Sequence, residues 1–281
     1  REAPTMLLSL ALLLGVEGFL AARGGALLSR AALPRTHIRS AEAKVLAEFE
    51  RDDFGPWLYS PRDFRRIDES LDFDFYSTPR FVTHIDDGAI ASLTEYYRRT
   101  LPADGAILDL CSSWISHLPA EVSYGSVAGI GMNYRELEAN KRLTAFSAQD
   151  LNFNATLPYP DATFDCVVNA VSVDYMTKPL PLFKEMHRVL KPGGRAIMSF
   201  SNRCFPTKAV GCWLDADETG RLAIVANYFH HSASWEGIRA LDIIPLKGEG
   251  MSRMKSNPAQ SFMASWASMD PMYIVEAWAV K

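Results

Sequence analysis

Four stretches of this 281-residue chain end apolar runs with side chains able to bind or to move protons. ILDLCSSWISHLP, Ile107 to Pro119, carries Asp109, Ser112, Ser113, Trp114 and His117. SVAGIGMN ends on Gly131, Met132 and Asn133. AQDL carries Asp150 and Leu151, and FDCVVNAVSVDYM carries Asn169 and Asp174. His84 and Asp86 precede the first of these runs. Carboxylates and amides at such positions can accept hydrogen bonds from sugar hydroxyls and base amino groups, and serine hydroxyls can donate. That chemistry fits a pocket for a nucleoside-containing cofactor. The alternative is that strand ends are polar simply because they meet water. His84, His117, Asp86 and Asp174 are the candidates for acid–base work, each also readable as a structural group. His230 and His231 read as surface residues on a helix. Arg203 and Lys208, after Asn202, either pair an acidic substrate group or lie solvated, the second being the expectation.

The elements that must hold these residues alternate. IDDGAIASLTEYYRRTL predicts a helix opened by Asp86 or Asp87. AILDLCS, SVAGIGMN, AFSAQDL, FDCVVNAVSVDYM and RAIMSFSN predict five strands. Ser116–Glu121 is a possible short helix start. YRELEANKRL and PLPLFKEMHRVLK predict helices, the latter ended by Pro192-Gly193-Gly194. IRALDIIP and MYIVEAWAV predict a final antiparallel pair. Together these make a doubly wound, mostly parallel, seven-stranded α/β sheet. Its ligands bind beyond the carboxyl ends of the strands, near the point where strand order reverses.

Ahead of this domain (81–281), AEAKVLAEFERDD has helical spacing at Val45, Leu46 and Phe49. Phe54–Phe64 reads as an aromatic, extended segment, so 41–80 is an extension packing on the core. MLLSLALLLGVEGFLAA, Met6 to Ala22, has 17 residues and one charge, Glu17, the lower limit for a membrane-spanning helix. A removed targeting segment, a partner-buried helix and a membrane anchor all fit it, and the start at Arg1 reads as a trimmed product. Arg23, Arg30, Arg35 and Arg39 follow, which places the main domain on the cytoplasmic or stromal side. Residues 24–40 read as a linker.

Net charge is −4 with no long basic run, which argues against a nucleic-acid partner. The four cysteines form no CxxC or Cys/His spacing for zinc, so no metal site is expected and the thiols read as buried and reduced.

FDCVVNAVSVDYMTKPLPLFKEMHRVLKPGGRAIMSFSN resembles the central segment of class I, type 11, S-adenosylmethionine-dependent methyltransferases: an F-D strand, a helix, R-V-L-K-P-G-G and a further strand. FYSTPRFVTHIDDGAI, LDLCSSWISHLP and SFSNRCFPTKAV are similar to a bacterial and plastid subgroup with S-S-W-x-S-H-L-P in place of the glycine motif. The resemblance implies the Rossmann-like methyltransferase fold and S-adenosylmethionine as cofactor. Contacts are expected from Asp109, Ser112, Ser113, Trp114, Asn133, Asp150, Leu151 and Asn169 along the rim, of which the resemblance places Asp150 and Leu151 at the adenine; His117, His84 and Asp174 are the catalytic candidates by their place near the rim. The usual D-x-G-x-G-x-G becomes Asp109, Cys111, Ser113 and Ile115, without glycine. Trp114 either stacks on adenine or plugs the pocket, and Asn133 stands where an acid would take the ribose. Two functions follow: a membrane-associated methyltransferase acting on a small or lipophilic acceptor, or a degenerate subunit of a membrane complex, a thylakoid photosystem being the named case.

Overall fold

The computed structural model describes residues 43–244 and 270–281. Eight strands form one mixed sheet: β1 (Lys44–Glu48), β2 (Ala106–Leu110), β3 (Ser126–Gly131), β4 (Ala145–Ala148), β5 (Phe164–Ala170), β6 (Leu190–Phe200), β7 (Trp235–Asp242) and β8 (Tyr273–Ala279). Their order is β1-β7-β8-β6-β5-β2-β3-β4. β4, β3, β2, β5 and β6 run parallel, and β8, β7 and β1 complete the sheet antiparallel. The chain winds from β2 outward to β4, then returns to β5 on the other side. Strand order therefore reverses between β2 and β5, which opens a crevice beyond their carboxyl ends.

Six helices accompany the sheet: α1 (Asp72–Phe75), α2 (Asp87–Thr100), α3 (Tyr134–Ala139), α4 (Pro179–Val189), α5 (Gly211–Leu214) and α6 (Glu218–Ser232). The central strands β2, β3 and β5 are buried along almost their whole length because both faces are covered. Cys166 and Val168 of β5 join α2's Leu93 and Tyr97 in one core, whereas Val167 joins α4's Phe183 and α6's Phe229 in the other. This alternation is the two-residue period of a strand, read on both sides.

The sheet has eight strands rather than seven because residues 44–48 form a strand, not the helix their spacing predicts. β7 would otherwise be an open edge, and pairing with its backbone outweighs the weak helical pattern. Ser116–Glu121 opens no helix: His117 has φ +53° and Pro119 follows two residues later. The Pro-Gly-Gly sequence lies inside β6 rather than ending a helix; α4 stops at Val189, and the register slips between Phe164 and Cys166, with Gly193 at φ +74°. The final antiparallel pair is present as β7 and β8.

Residues 54–64 run without helix or strand, and Trp57 and Phe64 lie against α6's Tyr228, each at 6.2 Å between ring centres. The apolar segment Met6–Ala22 and its linker fall outside the described residues. Among the described residues no helix is long and apolar enough to cross a membrane.

Candidate functional site

A cavity of about 570 Å³ lies at the crevice beyond β2, β3 and β5, within the usual range for small-molecule sites. Its cradle begins at Asp109, the fourth residue of β2, buried to 3% exposure. Asp109 accepts from Ser112 Oγ at 2.6 Å, and burial pushes its carboxyl up to about 6. Cys111 follows with φ +55°, at the position where the family's first glycine would stand. A residue with a Cβ costs about 1–2 kcal/mol in that left-handed conformation. Local bonds hold it there: Ser112 N donates to Ile130 O at 2.7 Å, and Asn169 Nδ2 donates to Leu110 O at 2.9 Å. The loop thus keeps a glycine-like turn without glycine.

Close approach comes from the neighbouring strand instead. A Cβ on Gly131 would sit 2.0 Å from Ser112 O, so only glycine lets the loop rest on the end of β3. Ser113 Oγ then reaches Glu136 Oε2 at 2.6 Å, and Glu136 Oε1 accepts from Arg80 N at 2.6 Å. Trp114 lies in the cavity wall, half-buried, with Nε1 donating to Val82 O at 3.0 Å and its ring edge-on to Phe81. It lines the space without filling it.

Asn133 lines the cavity, but its amide is engaged. Oδ1 caps α3 by accepting from Arg135 N and Glu136 N, and Nδ2 donates to Tyr76 O and Ser77 O. Asp150 Oδ1 accepts from Asn152 N at 2.8 Å and Phe153 N at 3.1 Å, and Leu151 lines the cavity beside it. Asn169 is fully buried behind the lining, with Oδ1 lacking a partner.

Of the acid–base candidates, His84 and His117 line the cavity. Burial depresses both imidazoles, His117 down to about 4, so it is neutral near pH 7; its Nδ1 has no partner. Asp174 sits behind the wall, fully buried, with Oδ2 unpartnered and its carboxyl pushed up by burial to about 7. Asp86 caps α2 through Ala89 N, and Asp86 and Asp270 each donate a backbone N–H to the other's carboxylate. Arg203 lines the cavity and pairs with Asp270 at 2.6 Å. Lys208 is not solvated: it has no exposed surface and holds Ser70 O at 2.8 Å, Asp68 Oδ2 at 3.2 Å and Asp72 Oδ1 at 3.4 Å. The buried Asp72 carboxylate and the Ser70 backbone draw it inward. His230 and His231 are covered too, His230 stacked on Phe54 at 4.1 Å and His231 edge-on to Trp57 at 5.4 Å.

Sequence reasoning missed Tyr76, Arg80, Glu136, Tyr175 and Phe205, all in the cavity wall. Glu136 had a signal: it falls in the first turn of a helix, three residues past a strand end. The other four lie in stretches already singled out, Tyr76 and Arg80 in Phe75–Ile90, Tyr175 in Phe164–Met176 and Phe205 in Ser199–Val210, but nothing in their types or spacing marked them as pocket walls. Among the described residues no cluster of side chains could hold a metal ion.

Residues 110–198 match the methyltransferase domain family. This segment carries a methyltransferase domain, of a family that binds S-adenosylmethionine. Over 97 residues the chain is 36% identical to a demethylmenaquinone methyltransferase of Staphylococcus epidermidis, covering 32% of this chain and 40% of that protein. Over 87 residues it is 30% identical to a malonyl-[acyl-carrier protein] O-methyltransferase of a Marinomonas species, covering 31% of each. The chain thus spans 31–40% of the length of these relatives. A solved putative S-adenosylmethionine-dependent methyltransferase from Listeria monocytogenes superposes with a TM-score of 0.47 at 16% identity, covering 70% of this chain and all of that one. The matched segment holds β3 to β5, most of β6 and the cradle loop. The walls at 72–84 and 202–206 lie outside it.

Proposed function

We propose that this protein is a methyltransferase that binds S-adenosylmethionine in the cavity and passes its methyl group to a small-molecule acceptor. The observation that carries this reading is Cys111 in the left-handed conformation at the first-glycine position, facing a β3 end where Gly131 alone permits the loop's approach. Strain of this kind persists where surrounding bonds fix it, and it collects at ligand sites.

The donor set suits the cofactor. Glu136 supplies a carboxylate within the cavity, one turn beyond the strand end where Asn133 offers none, and is the group assigned to the ribose hydroxyls. Asp150 and Leu151 are assigned to the adenine, with Ser112 and Ser113 holding the loop beneath. S-adenosylmethionine, when bound, supplies an electrophilic methyl group for in-line displacement. The remaining work is positioning the acceptor and excluding water. His117, neutral and with a free ring nitrogen, is the group available to accept an acceptor's proton when its acidity is low.

The open cavity, with Trp114 in its wall, favours this reading over that of a degenerate subunit. Membrane attachment rests on the sequence of Met6–Ala22 and the arginines after it. Flotation of the full chain with liposomes, against a chain starting at residue 43, tests that attachment.

The cofactor reading is tested by calorimetric titration of the full chain with S-adenosylmethionine and S-adenosylhomocysteine. Micromolar binding is expected, weakened about tenfold in Glu136→Gln, which keeps the shape and loses the charge. No heat at millimolar ligand refutes the reading. Unchanged affinity in Glu136→Gln refutes the ribose assignment.

A further inference from the structure

Arg80 is the charged group in the cavity wall that the cofactor reading leaves without a role. Its guanidinium lies over Phe75 at 4.5 Å, Phe205 at 5.6 Å and Tyr76 at 5.7 Å. Nη2 donates to Phe75 O at 2.9 Å, whereas Nη1 is buried and has no hydrogen-bond partner. Among the described residues no carboxylate lies within ion-pair distance of it.

The carboxylates that line the cavity are otherwise engaged. Asp72 is held by Arg66 at 2.6 Å and Asn152 at 2.9 Å, and Asp109 by Ser112. Glu136 is held by Ser113 and the Arg80 backbone, and Asp150 caps its own turn. Arg203 already has Asp270. A guanidinium clamped between rings, stripped of water on one nitrogen and without a counter-ion, is costly unless an anion arrives. Arginine's rigid fork matches a carboxylate, and aromatic packing fixes it in advance.

The placement says which ligand brings that anion. The cofactor cradle is built on β2, β3 and the loop between Asp109 and Ser113. Arg80's guanidinium lies over the Phe75 and Tyr76 rings of its own segment and reaches Phe205, beyond the end of β6, two strands away from β2. Tyr175 fixes that segment by accepting from Phe205 N at 2.8 Å, and His84 meets the Phe205 ring edge-on at 5.5 Å. The neighbourhood is aromatic around Arg80 and, apart from Tyr175, lies outside the matched domain segment.

Resting on the methyltransferase reading, we propose that the acceptor is a planar aromatic acid whose carboxylate pairs with Arg80 while its ring lies among Tyr76, His84, Tyr175 and Phe205. The acid fits this wall better than a neutral acceptor, because a neutral ligand would bury Arg80 still unpaired.

The test titrates the full chain with 4-hydroxybenzoate and with 4-hydroxybenzamide, each with and without saturating S-adenosylhomocysteine, in wild type and Arg80→Met. The acid is expected to bind at least tenfold more tightly than the amide in wild type, and Arg80→Met to erase the difference. Affinity for S-adenosylhomocysteine, and for 5′-methylthioadenosine, which lacks the amino-acid end, should stay within about twofold in the variant. Equal binding of acid and amide to wild type overturns the proposal. So does a variant that loses S-adenosylhomocysteine but not methylthioadenosine, since Arg80 would then hold the cofactor's own carboxylate. Retained affinity for methylthioadenosine also establishes that Arg80→Met folds. If wild type binds the acid selectively but no S-adenosylhomocysteine, the cofactor reading fails and the carboxylate site stands.

Discussion

Gly131→Ala tests the way the cradle is built. The added Cβ would lie 2.0 Å from Ser112 O, and 3.1 Å from both Ser112 C and Leu137 Cδ2. Relief requires the Ser112 backbone to retreat by about 1.4 Å or more to reach an ordinary contact, against its bond to Ile130 O on the same strand. Overpacking against backbone costs about 3 kcal/mol, the upper end of the usual range, since no flexible side chain can yield. For a domain near 200 residues that corresponds to a melting-point drop of roughly 6–12 °C. Retreat of Ser112 also breaks its bond to Asp109 and moves Ser113 from Glu136, so cofactor affinity falls with stability. Gly55→Ala is the control: nothing lies within 4 Å of its Cβ, and its melting point should move by less than about 2 °C. Thermal melts and S-adenosylhomocysteine titrations on the three proteins read both effects. Gly131→Ala melting and binding like wild type would show that the loop does not rest on β3, and the cradle argument would fall.

Two further perturbations probe the cavity's supports. Lys208→Met removes the cation from Asp68 and leaves Arg66 as the cation of the buried Asp72, and should lower the urea midpoint; an unchanged midpoint would mean that Lys208 does not clamp the 68–72 segment. Asp174→Asn should stabilise the protein above neutral pH. The folded carboxyl is raised to about 7 against about 3.9 unfolded, so folding binds a proton in between and wild-type stability falls as pH rises through that window. The variant's advantage should reach a few kcal/mol at pH 8 and vanish near pH 4, and a pH-independent difference in urea melts refutes the assignment.

The parallel half of the sheet was legible in the sequence because each strand is an apolar run bounded by a turn or a helix cap, and local signals agree there with burial on both faces. Asp86 illustrates this, standing at the predicted N-cap and accepting from Ala89 N. Legibility failed where tertiary pairing decides. Residues 44–48 satisfy a helical period and a strand equally, and only the open edge of β7, some 190 residues later, selects the strand. The Pro-Gly-Gly of β6 misled for the opposite reason: a turn signal was absorbed into a bulge between two long partners. Lys208 and the paired histidines were read as wet because polarity was judged residue by residue, whereas the 54–72 segment that covers them folds back from far upstream.

The site divides along the same line. Asp109, Asp150 and the loop between Cys111 and Trp114 were singled out because they sit at strand ends, and the structure brings them to one cavity. Their environment was not legible. Reading Cys111 as a lost glycine equates residue type with backbone conformation, yet the conformation is a property of the whole loop. The bonds Ser112 N to Ile130 O, Ser112 Oγ to Asp109 and Asn169 Nδ2 to Leu110 O form together only when residue 111 turns left-handed. At about 1 kcal/mol each they offset a cost of 1–2 kcal/mol. The same logic moves the ribose acid. Asn133 is drawn into capping α3 and tethering Tyr76 and Ser77, which holds the 76–80 segment over the cavity and brings the Arg80 backbone to Glu136. A carboxylate at residue 133 could cap the helix but could not donate to those two carbonyls. On the proposed reading, asparagine at the strand end and glutamate one turn later are therefore one solution rather than two departures, because the amide that caps the helix also holds the 76–77 backbone beside the cavity.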